Sequence, residues 1–209
     1  MTNARKNILD KLKQAQENNK KKITDVDFTE NIYQKSKLNL AEEFSEKLKK
    51  VNGETFICKT FSEFKLNINK AINNKQADNV FCIDNKIKQI LEKANIPFID
   101  NEKHLLDLNI GVTGCEFLSA RTGSIIVSSK SGSGRRLNIY PNIHFVIAYK
   151  NQLVEDINQA IIKIKEKYKN NLPSLITNIT GPSRTADIEK TLILGAHGPK
   201  ELIVFILDF

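Results

Sequence analysis

The sequence has no tryptophan, one methionine and three cysteines among its 209 residues. It also lacks an apolar run close to the roughly 18 residues that a membrane-spanning helix needs, so a transmembrane protein is not expected. The first residues show no apolar segment with a small-residue cleavage site, which predicts no secretory signal and a cytoplasmic location. A hydrophobic fraction of 40% at this length favours a globular chain with one sizeable core.

The cysteines, Cys58, Cys82 and Cys115, are odd in number and widely spaced. Disulfide frameworks need pairs, and iron–sulfur or zinc sites need closely spaced cysteine ligands. The spacing therefore predicts three buried thiols and no metal in this chain. The G-x-G-x-x-G dinucleotide pattern is also missing, so we expect neither nicotinamide nor flavin as a cofactor.

The net charge of +8 raises nucleic acid as a partner, but the charge is not concentrated. Residues 1–104 carry 20 Lys or Arg and 15 Asp or Glu, and residues 105–209 carry 12 and 9. No DNA-binding or RNA-binding signature accompanies this even spread. The sequence therefore predicts no nucleic-acid partner.

The order of elements predicts an α/β fold. Residues 4–16 show the apolar spacing of an amphipathic helix, and a Lys- and Asn-rich connection follows. Residues 39–53 predict a second helix that stops at Gly53, and short apolar runs then alternate with helical segments up to residue 100. This alternation is typical of βαβ units, which make a mostly parallel sheet flanked by helices. We predict an N-terminal helix and polar linker over 1–37 and one α/β domain over 38–209.

Glycine and arginine are concentrated in the second half of the chain. Eight of nine Gly and four of five Arg occur at or after Gly111. The planar guanidinium can hold a carboxylate or phosphate with two parallel hydrogen bonds, so arginines are candidate anion-binding groups. The candidates are Arg121, Arg135, Arg136 and Arg184. The alternative is that these arginines tie loops to backbone carbonyls.

Two segments precede the C-terminal motif. Arg121, Thr122 and Gly123 lie in "ARTGS", a tight turn before an apolar strand, and are predicted to contribute to an anion or substrate site. His144 lies in a predicted strand within 131–149, where a structural role and a direct role both remain open. Residues 153–170 predict an amphipathic helix that serves as scaffold.

The C-terminal segment "TGPSRTADIEKTLILGAHGPKEL" (180–202) carries the sharpest site prediction. The side-chain oxygens of Ser183 and Thr185 predict a turn into a short helix, whose unpaired N–H groups favour an anion. Backbone N–H groups after Gly181 and the guanidinium of Arg184 would bind that anion. The alternative is a turn–helix–turn connection that needs Gly and Pro for backbone reasons alone.

Two further residues of this segment are candidate catalytic groups. His197 lies between two glycines and could transfer a proton near neutral pH, and Asp187 could orient His197 or cap the helix. We expect loops 113–124 and 181–199 to meet at the carboxyl ends of the strands, where α/β sheets place ligands. A small carboxylate or phosphate is the predicted ligand.

The segments "GVTGCEFLSARTGSIIVSS", "RRLNIYPNIHFVIAY" and "TGPSRTADIEKTLILGAHGPKELIVFILD" resemble the lactate-utilisation protein C family, whose shared module is the LUD domain. The resemblance covers roughly residues 50–209. It implies a fold like that of the ribose-5-phosphate isomerase, glucosamine-6-phosphate deaminase and CoA-transferase superfamily, in which a mostly parallel sheet is flanked by helices.

The resemblance also implies a function. Members act as one of three cytoplasmic proteins that together oxidise L-lactate to pyruvate, and the other two are iron–sulfur proteins. Because this chain lacks a cysteine cluster and a dinucleotide motif, we expect it to bind substrate or partner without carrying the redox centre. The alternative is an independent α/β enzyme that acts on a phosphorylated or carboxylated small metabolite, and fold analogy alone supports it weakly.

Overall fold

The computed structural model describes residues 3–18, 36–75, 80–101, 109–188, 191–195 and 197–209. The chain divides into two compact units, Met1–Ser36 and Lys37–Phe209. The described part of the first unit is one helix, whose Ile8, Leu9 and Leu12 side chains are exposed. The predicted division into a helix and linker over 1–37 and one α/β domain over 38–209 stays a prediction.

The described chain forms five helices and eleven strands. The helices are α1 (Asn3–Asn18), α2 (Leu40–Lys50), α3 (Phe61–Asn74), α4 (Asn85–Lys93) and α5 (Ile157–Tyr168). The strands are β1 (Glu54–Cys58), β2 (Val80–Phe81), β3 (Ile110–Thr113), β4 (Phe117–Ser119), β5 (Ser124–Ser128), β6 (Ile143–Tyr149), β7 (Leu153–Val154), β8 (Ile176–Ile179), β9 (Arg184–Ile188), β10 (Thr191–Leu194) and β11 (Glu201–Leu207).

The central sheet has five strands in the order β1, β11, β6, β3, β2, and all four pairings are parallel. Its strands are nearly continuous apolar runs, as expected for parallel strands buried on both faces. A second sheet has the order β7, β4, β5, β8 and contains two antiparallel pairings. The strands β9 and β10 form a separate antiparallel pair.

Helices cover the central sheet, and this packing buries the apolar faces of both the helices and the sheet. One core cluster joins α3 and α4 to one face of the sheet, through side chains such as Phe64 and Leu91. A second cluster joins α2 and the four-stranded sheet to the other face. A third cluster packs α5 against the far side of the four-stranded sheet. The order of layers is therefore helices, sheet, helix with second sheet, helix.

Polar residues set the starts of these helices. Asn39 and Glu42 form a capping box at α2, in which Asn39 Oδ1 accepts from the backbone N–H of Glu42 at 3.0 Å. Asp84 caps α4 and Asp156 caps α5 through backbone N–H groups of the first turn. Asp84 also lines the cavity described below, and Asp156 also binds Arg121.

The α/β prediction and the mostly parallel sheet flanked by helices are confirmed, as is the N-terminal helix. Two details are wrong. Helix α2 ends at Lys50, before Gly53, and Asn52 takes the left-handed conformation that follows it, while a Cβ on Gly53 would lie 2.6 Å from the Leu48 side chain. The predicted short helix after Pro182 is instead strand β9, because the backbone pairs with β10.

None of the helices among the described residues combines the length and the apolar composition that a membrane crossing requires.

Candidate functional site

A cavity of about 530 Å³ lies at the carboxyl ends of three neighbouring strands of the central sheet. Residues that directly follow β2 and β3 line it, and so do residues at the end of β6. Ligands of α/β proteins bind at this edge. The lining residues are Ile83, Asp84, Asn85, Lys86, Ile87, Gly114, Cys115, Glu116, Lys130, Ser131, Gly132, Ile147, Tyr149, Gln152, Lys167 and Tyr168.

Glu116 is the buried charge of this cavity, with 4% of the residue exposed. Its Oε1 accepts from Ser128 Oγ at 2.6 Å and from Tyr168 Oη at 2.7 Å, and its Oε2 accepts from Lys167 Nζ at 2.7 Å. Burial raises the pKa of Glu116, but the hydrogen bonds from Lys167, Ser128 and Tyr168 outweigh it and lower the pKa below its usual value. Glu116 is therefore ionised at neutral pH and held in one position.

Two lysines lie over the same aromatic ring at the cavity wall. Lys167 Nζ is 5.0 Å and Lys130 Nζ is 5.3 Å from the centroid of the Tyr168 ring. Lys130 Nζ also donates to the Asn171 carbonyl at 2.5 Å. Burial and the Glu116 carboxylate raise the pKa of Tyr168, so its hydroxyl stays protonated and donates. The wall thus presents two ammonium groups beside a fixed carboxylate.

A second carboxylate, Asp84, lies on the cavity wall between two glycines. A Cβ on Gly132 would lie 2.6 Å from Asp84 Cγ, and a Cβ on Gly114 would lie 3.4 Å from Asp84 Oδ2. Asp84 Oδ1 accepts from the Lys86 backbone N–H at 3.0 Å, while Oδ2 is 3.5 Å from Ser133 Oγ. A side chain at position 132 would displace this carboxylate, so glycine keeps it in place and within reach of a ligand.

The cysteines are thiols rather than reactive thiolates. Cys58 and Cys82 are buried, but Cys115 is only partly buried and lines the cavity, so the prediction of three buried thiols is wrong for Cys115. Burial raises the pKa of Cys115 well above its usual range, and the Glu116 charge adds to the effect. Burial also raises the pKa of Cys82 to about 12. Among the described residues, no three His, Cys, Asp or Glu side chains form a group that could hold a metal ion.

His144 is fully buried in β6 and does not line the cavity. Its Nε2 lies 2.8 Å from Thr113 Oγ1, and its Nδ1 has no hydrogen-bond partner among the described atoms. Burial lowers the pKa of His144 to about 4. The side chain is therefore neutral at physiological pH, which favours the structural role left open from the sequence.

The C-terminal loop predicted to bind an anion lies at the opposite edge of the central sheet. The Ser183 backbone N–H donates to the Pro199 carbonyl at 2.8 Å, and Lys200, which directly precedes β11, donates to the Asn142 carbonyl before β6. These contacts place the loop at the amino ends of the strands. The expectation that it lies at the carboxyl ends is therefore wrong.

Within this loop the structure describes the side chains of residues 181–184, 195 and 197–199. The Arg184 guanidinium is exposed and donates to the Val51 carbonyl, as the alternative interpretation of the arginines expected. Gly181 has a φ of +79°, and a Cβ there would lie 2.5 Å from the same carbonyl oxygen. His197 is exposed. Their roles in binding and catalysis stay predictions.

Thr185 and Asp187 lie in β9, where the Thr185 backbone pairs with Ile193 of β10. Because the predicted helix is a strand, Asp187 cannot cap it. The Thr185 and Asp187 side chains lie outside the part of the chain that the structure describes.

The "ARTGS" turn also lies away from the cavity. Arg121 donates to the Asp156 carboxylate at 2.5 Å, which uses its charge to hold the start of α5. Thr122 Oγ1 donates to Ser119 Oγ at 2.8 Å. Gly123 has a φ of +60°, and a Cβ there would lie 2.4 Å from the Leu48 backbone nitrogen. This turn therefore packs against the last turn of α2.

The two predicted loops do approach each other at the end of α2, because Ser124 Oγ lies 2.7 Å from Thr180 Oγ1. Among the described lining residues of the cavity, none belongs to the nine site residues selected from the sequence. Sequence reasoning missed Asp84 and Glu116. One signal was available: each carboxylate follows a short apolar strand of a predicted parallel sheet.

Comparison with known proteins places the chain in a family. The model of the LUD domain family matches residues 41–207. Lactate utilization protein C of Bacillus licheniformis is 33% identical over 111 residues, which cover 52% of this chain and 46% of that protein. Lactate utilization protein C of Bacillus subtilis is 35% identical over 112 residues, which cover 52% and 47%. The matched segment thus spans about half the length of these curated relatives.

A solved structure shows the same fold. The crystal structure of a DUF162 family protein from Deinococcus radiodurans superposes with a TM-score of 0.59 at 20% identity, covering 81% of this chain and 99% of that chain. This likeness concerns the fold alone. With the family model matching nearly the whole second unit, the chain belongs to the LUD domain family.

Proposed function

We propose that the chain takes part in lactate utilisation as a subunit that binds substrate or partner and does not carry the redox centre. The observation that carries the proposal is the match of residues 41–207 to the LUD domain, together with relatives named lactate utilization protein C. The wide separation of Cys58, Cys82 and Cys115 along the chain supports the second part. Iron–sulfur proteins of the same system are the proposed partners, and the cytoplasm is the proposed location.

The test is genetic and biochemical. A strain without this gene is expected to lose growth on L-lactate and to regain it when the wild-type chain is supplied. Purified chain mixed with the partner proteins is expected to support lactate-dependent reduction of a dye, and omission of either component is expected to abolish it. Normal growth of the deletion strain on L-lactate would refute the proposal.

A second candidate function has one observation in its favour. The cavity holds two carboxylates, Asp84 and Glu116, at the edge of the sheet where α/β enzymes act. The alternative is therefore an independent enzyme that acts on a phosphorylated or carboxylated metabolite. Turnover of such a compound by the isolated chain, followed by NMR, would support this alternative, and absence of turnover would count against it.

The loop at the amino edge is proposed as an additional contact for an anion or a partner protein. Its support is the exposure of Arg184 and His197 next to backbone that glycine and proline hold in place. Single substitutions of these two residues test this role, as described in the Discussion.

A further inference from the structure

Lys130 and Lys167, at one wall of the cavity, have N–H donors that no described acceptor uses. An ammonium group has three N–H donors. Lys167 donates to Glu116 and to the Tyr168 hydroxyl, and Lys130 donates to the Asn171 carbonyl, so each lysine keeps at least one donor. Both groups lie within 5.3 Å of the centroid of the Tyr168 ring. Both lysines also line the cavity, so each can contact a ligand that is bound there.

The charge balance of this wall favours an anion. Glu116 neutralises Lys167 through a 2.7 Å ion pair and fixes its position. Lys130 forms no ion pair with a described carboxylate. Three lysines (Lys86, Lys130 and Lys167) and two carboxylates (Asp84 and Glu116) line the cavity, so its charged side chains sum to one net positive charge.

Other parts of the cavity wall suit the rest of a small organic acid. The Asp84 carboxylate, kept open by Gly132, can accept a hydrogen bond from a hydroxyl group. Ile87 and Ile147 give an apolar surface for a methyl or methylene group. Carboxylate, hydroxyl and short apolar group are the parts of a small hydroxy-carboxylate.

We propose that the cavity binds a small hydroxy-carboxylate, whose carboxylate lies between Lys130 and Lys167 and whose hydroxyl donates to Asp84. The proposal rests on the proposed role in lactate utilisation and names the residues that would recognise the substrate. Lys167 and Lys130 are binding residues here, and Glu116 is a positioning residue for Lys167.

The first experiment measures binding of L-lactate to the isolated full chain by calorimetry, with three comparison ligands. Lactamide has the shape of lactate without the charge, pyruvate lacks the hydroxyl, and inorganic phosphate is an unrelated anion. We expect lactate to bind roughly 10-fold or more tightly than lactamide, because lactamide loses a charge-assisted hydrogen bond. We also expect lactate to bind more tightly than pyruvate and than phosphate. Equal affinity for lactate and lactamide, or for lactate and phosphate, would overturn the proposal.

The second experiment uses matched lysine variants. Lys163 lies on α5 one turn before Lys167, with its Nζ 5.8 Å from the Phe117 ring centroid, and does not line the cavity. We expect Lys167→Met and Lys130→Met each to weaken lactate binding roughly 10- to 100-fold, and Lys163→Met to leave it unchanged. An equal effect of all three variants would show a general charge effect and overturn the site.

Two controls keep these results interpretable. Lys167→Met leaves the Glu116 charge buried and can unfold the chain, so Lys130→Met, which breaks no ion pair of the described residues, carries the test in that case. Binding is measured on the isolated chain and growth in the cell. Lost binding with normal growth on lactate refutes the proposed function but not the site, whereas intact binding in Lys130→Met refutes the site but not the function.

Discussion

The two edges of the central sheet differ in how their polar groups are used. At the carboxyl edge, Glu116 is buried, ionised and held by three donors beside a cavity. At the amino edge, Arg184 binds a backbone carbonyl and His197 is exposed. The amino edge has the conspicuous sequence motif, and the carboxyl edge has the cavity. A segment rich in Gly, Pro and Arg is thus better evidence of tight backbone turns than of a ligand-binding site.

His144, which is fully buried in β6, gives the largest expected effect. The pKa of His144 lies near 4 in the folded chain and near 6.5 in the unfolded chain, so the unfolded state binds more protons between these values. Stability is therefore expected to fall as the pH drops from about 6.5 towards 4, by about 3 kcal/mol in total. Urea unfolding at a series of pH values measures this loss. His144→Gln is expected to flatten the pH dependence, and a pH dependence that stays as steep in this variant would contradict the burial argument.

The second contrast compares Glu116 with Arg184. Glu116→Ala removes the acceptor of Ser128 and Tyr168 and is expected to cost about 2 kcal/mol, because buried donors lose their partner. Arg184→Ala is expected to cost much less, since the exposed guanidinium makes one described contact to backbone. Chemical denaturation of both variants checks the difference. Equal losses in the free energy of unfolding would mean that Glu116 and Arg184 contribute equally to stability.

Glycine substitutions at the cavity give a smaller effect. Gly132→Ala places a Cβ against the Asp84 carboxylate and is expected to destabilise the chain by about 1 kcal/mol and to weaken lactate binding. Gly114→Ala meets Asp84 at an ordinary contact distance and serves as the matched control, with a change below about 0.5 kcal/mol. Thermal unfolding and calorimetry measure both quantities. If Gly132→Ala binds lactate normally, Asp84 does not hold the ligand.

Much of the fold could be predicted because its signals are local. The helices that flank the sheet begin at capping residues such as Asn39 and Asp84, and their apolar faces repeat with helical spacing. The strand pair β9–β10 was missed although its pairings are local, with Ile188 opposite Thr191 and Arg184 opposite Leu194. Pro182 and Ser183 are typical of a helix start, so the local signals of this segment favoured the wrong element.

The cavity residues were harder to predict because their contacts join distant parts of the chain. Glu116 meets Lys167 and Tyr168 across about 50 residues of sequence, and Asp84 meets Gly132 from another loop. No short sequence motif predicts these contacts. The rule that ligands bind at the carboxyl edge was correct as a guide to the cavity, but it was applied to a loop that lies at the amino edge.

The smallest effect on stability is expected for the sequence-selected residues. Arg184→Lys keeps the charge and His197→Ala removes an exposed side chain, so each is expected to change the free energy of unfolding by less than about 0.5 kcal/mol. If the amino edge contacts an anion or a partner, both variants are nevertheless expected to impair growth on lactate. Normal growth of both would leave the amino edge with a backbone role alone.

The central claim is that the ligand binds at the carboxyl edge. Its most direct test is titration of the ¹⁵N-labelled chain with L-lactate, followed by two-dimensional NMR of the backbone amides. We predict that the amides of Gly114, Glu116, Lys130 and Gly132 shift, with saturation, and that those of Gly181, Ser183 and His197 stay in place. Saturable shifts confined to the second group would contradict the account and assign the ligand to the amino edge.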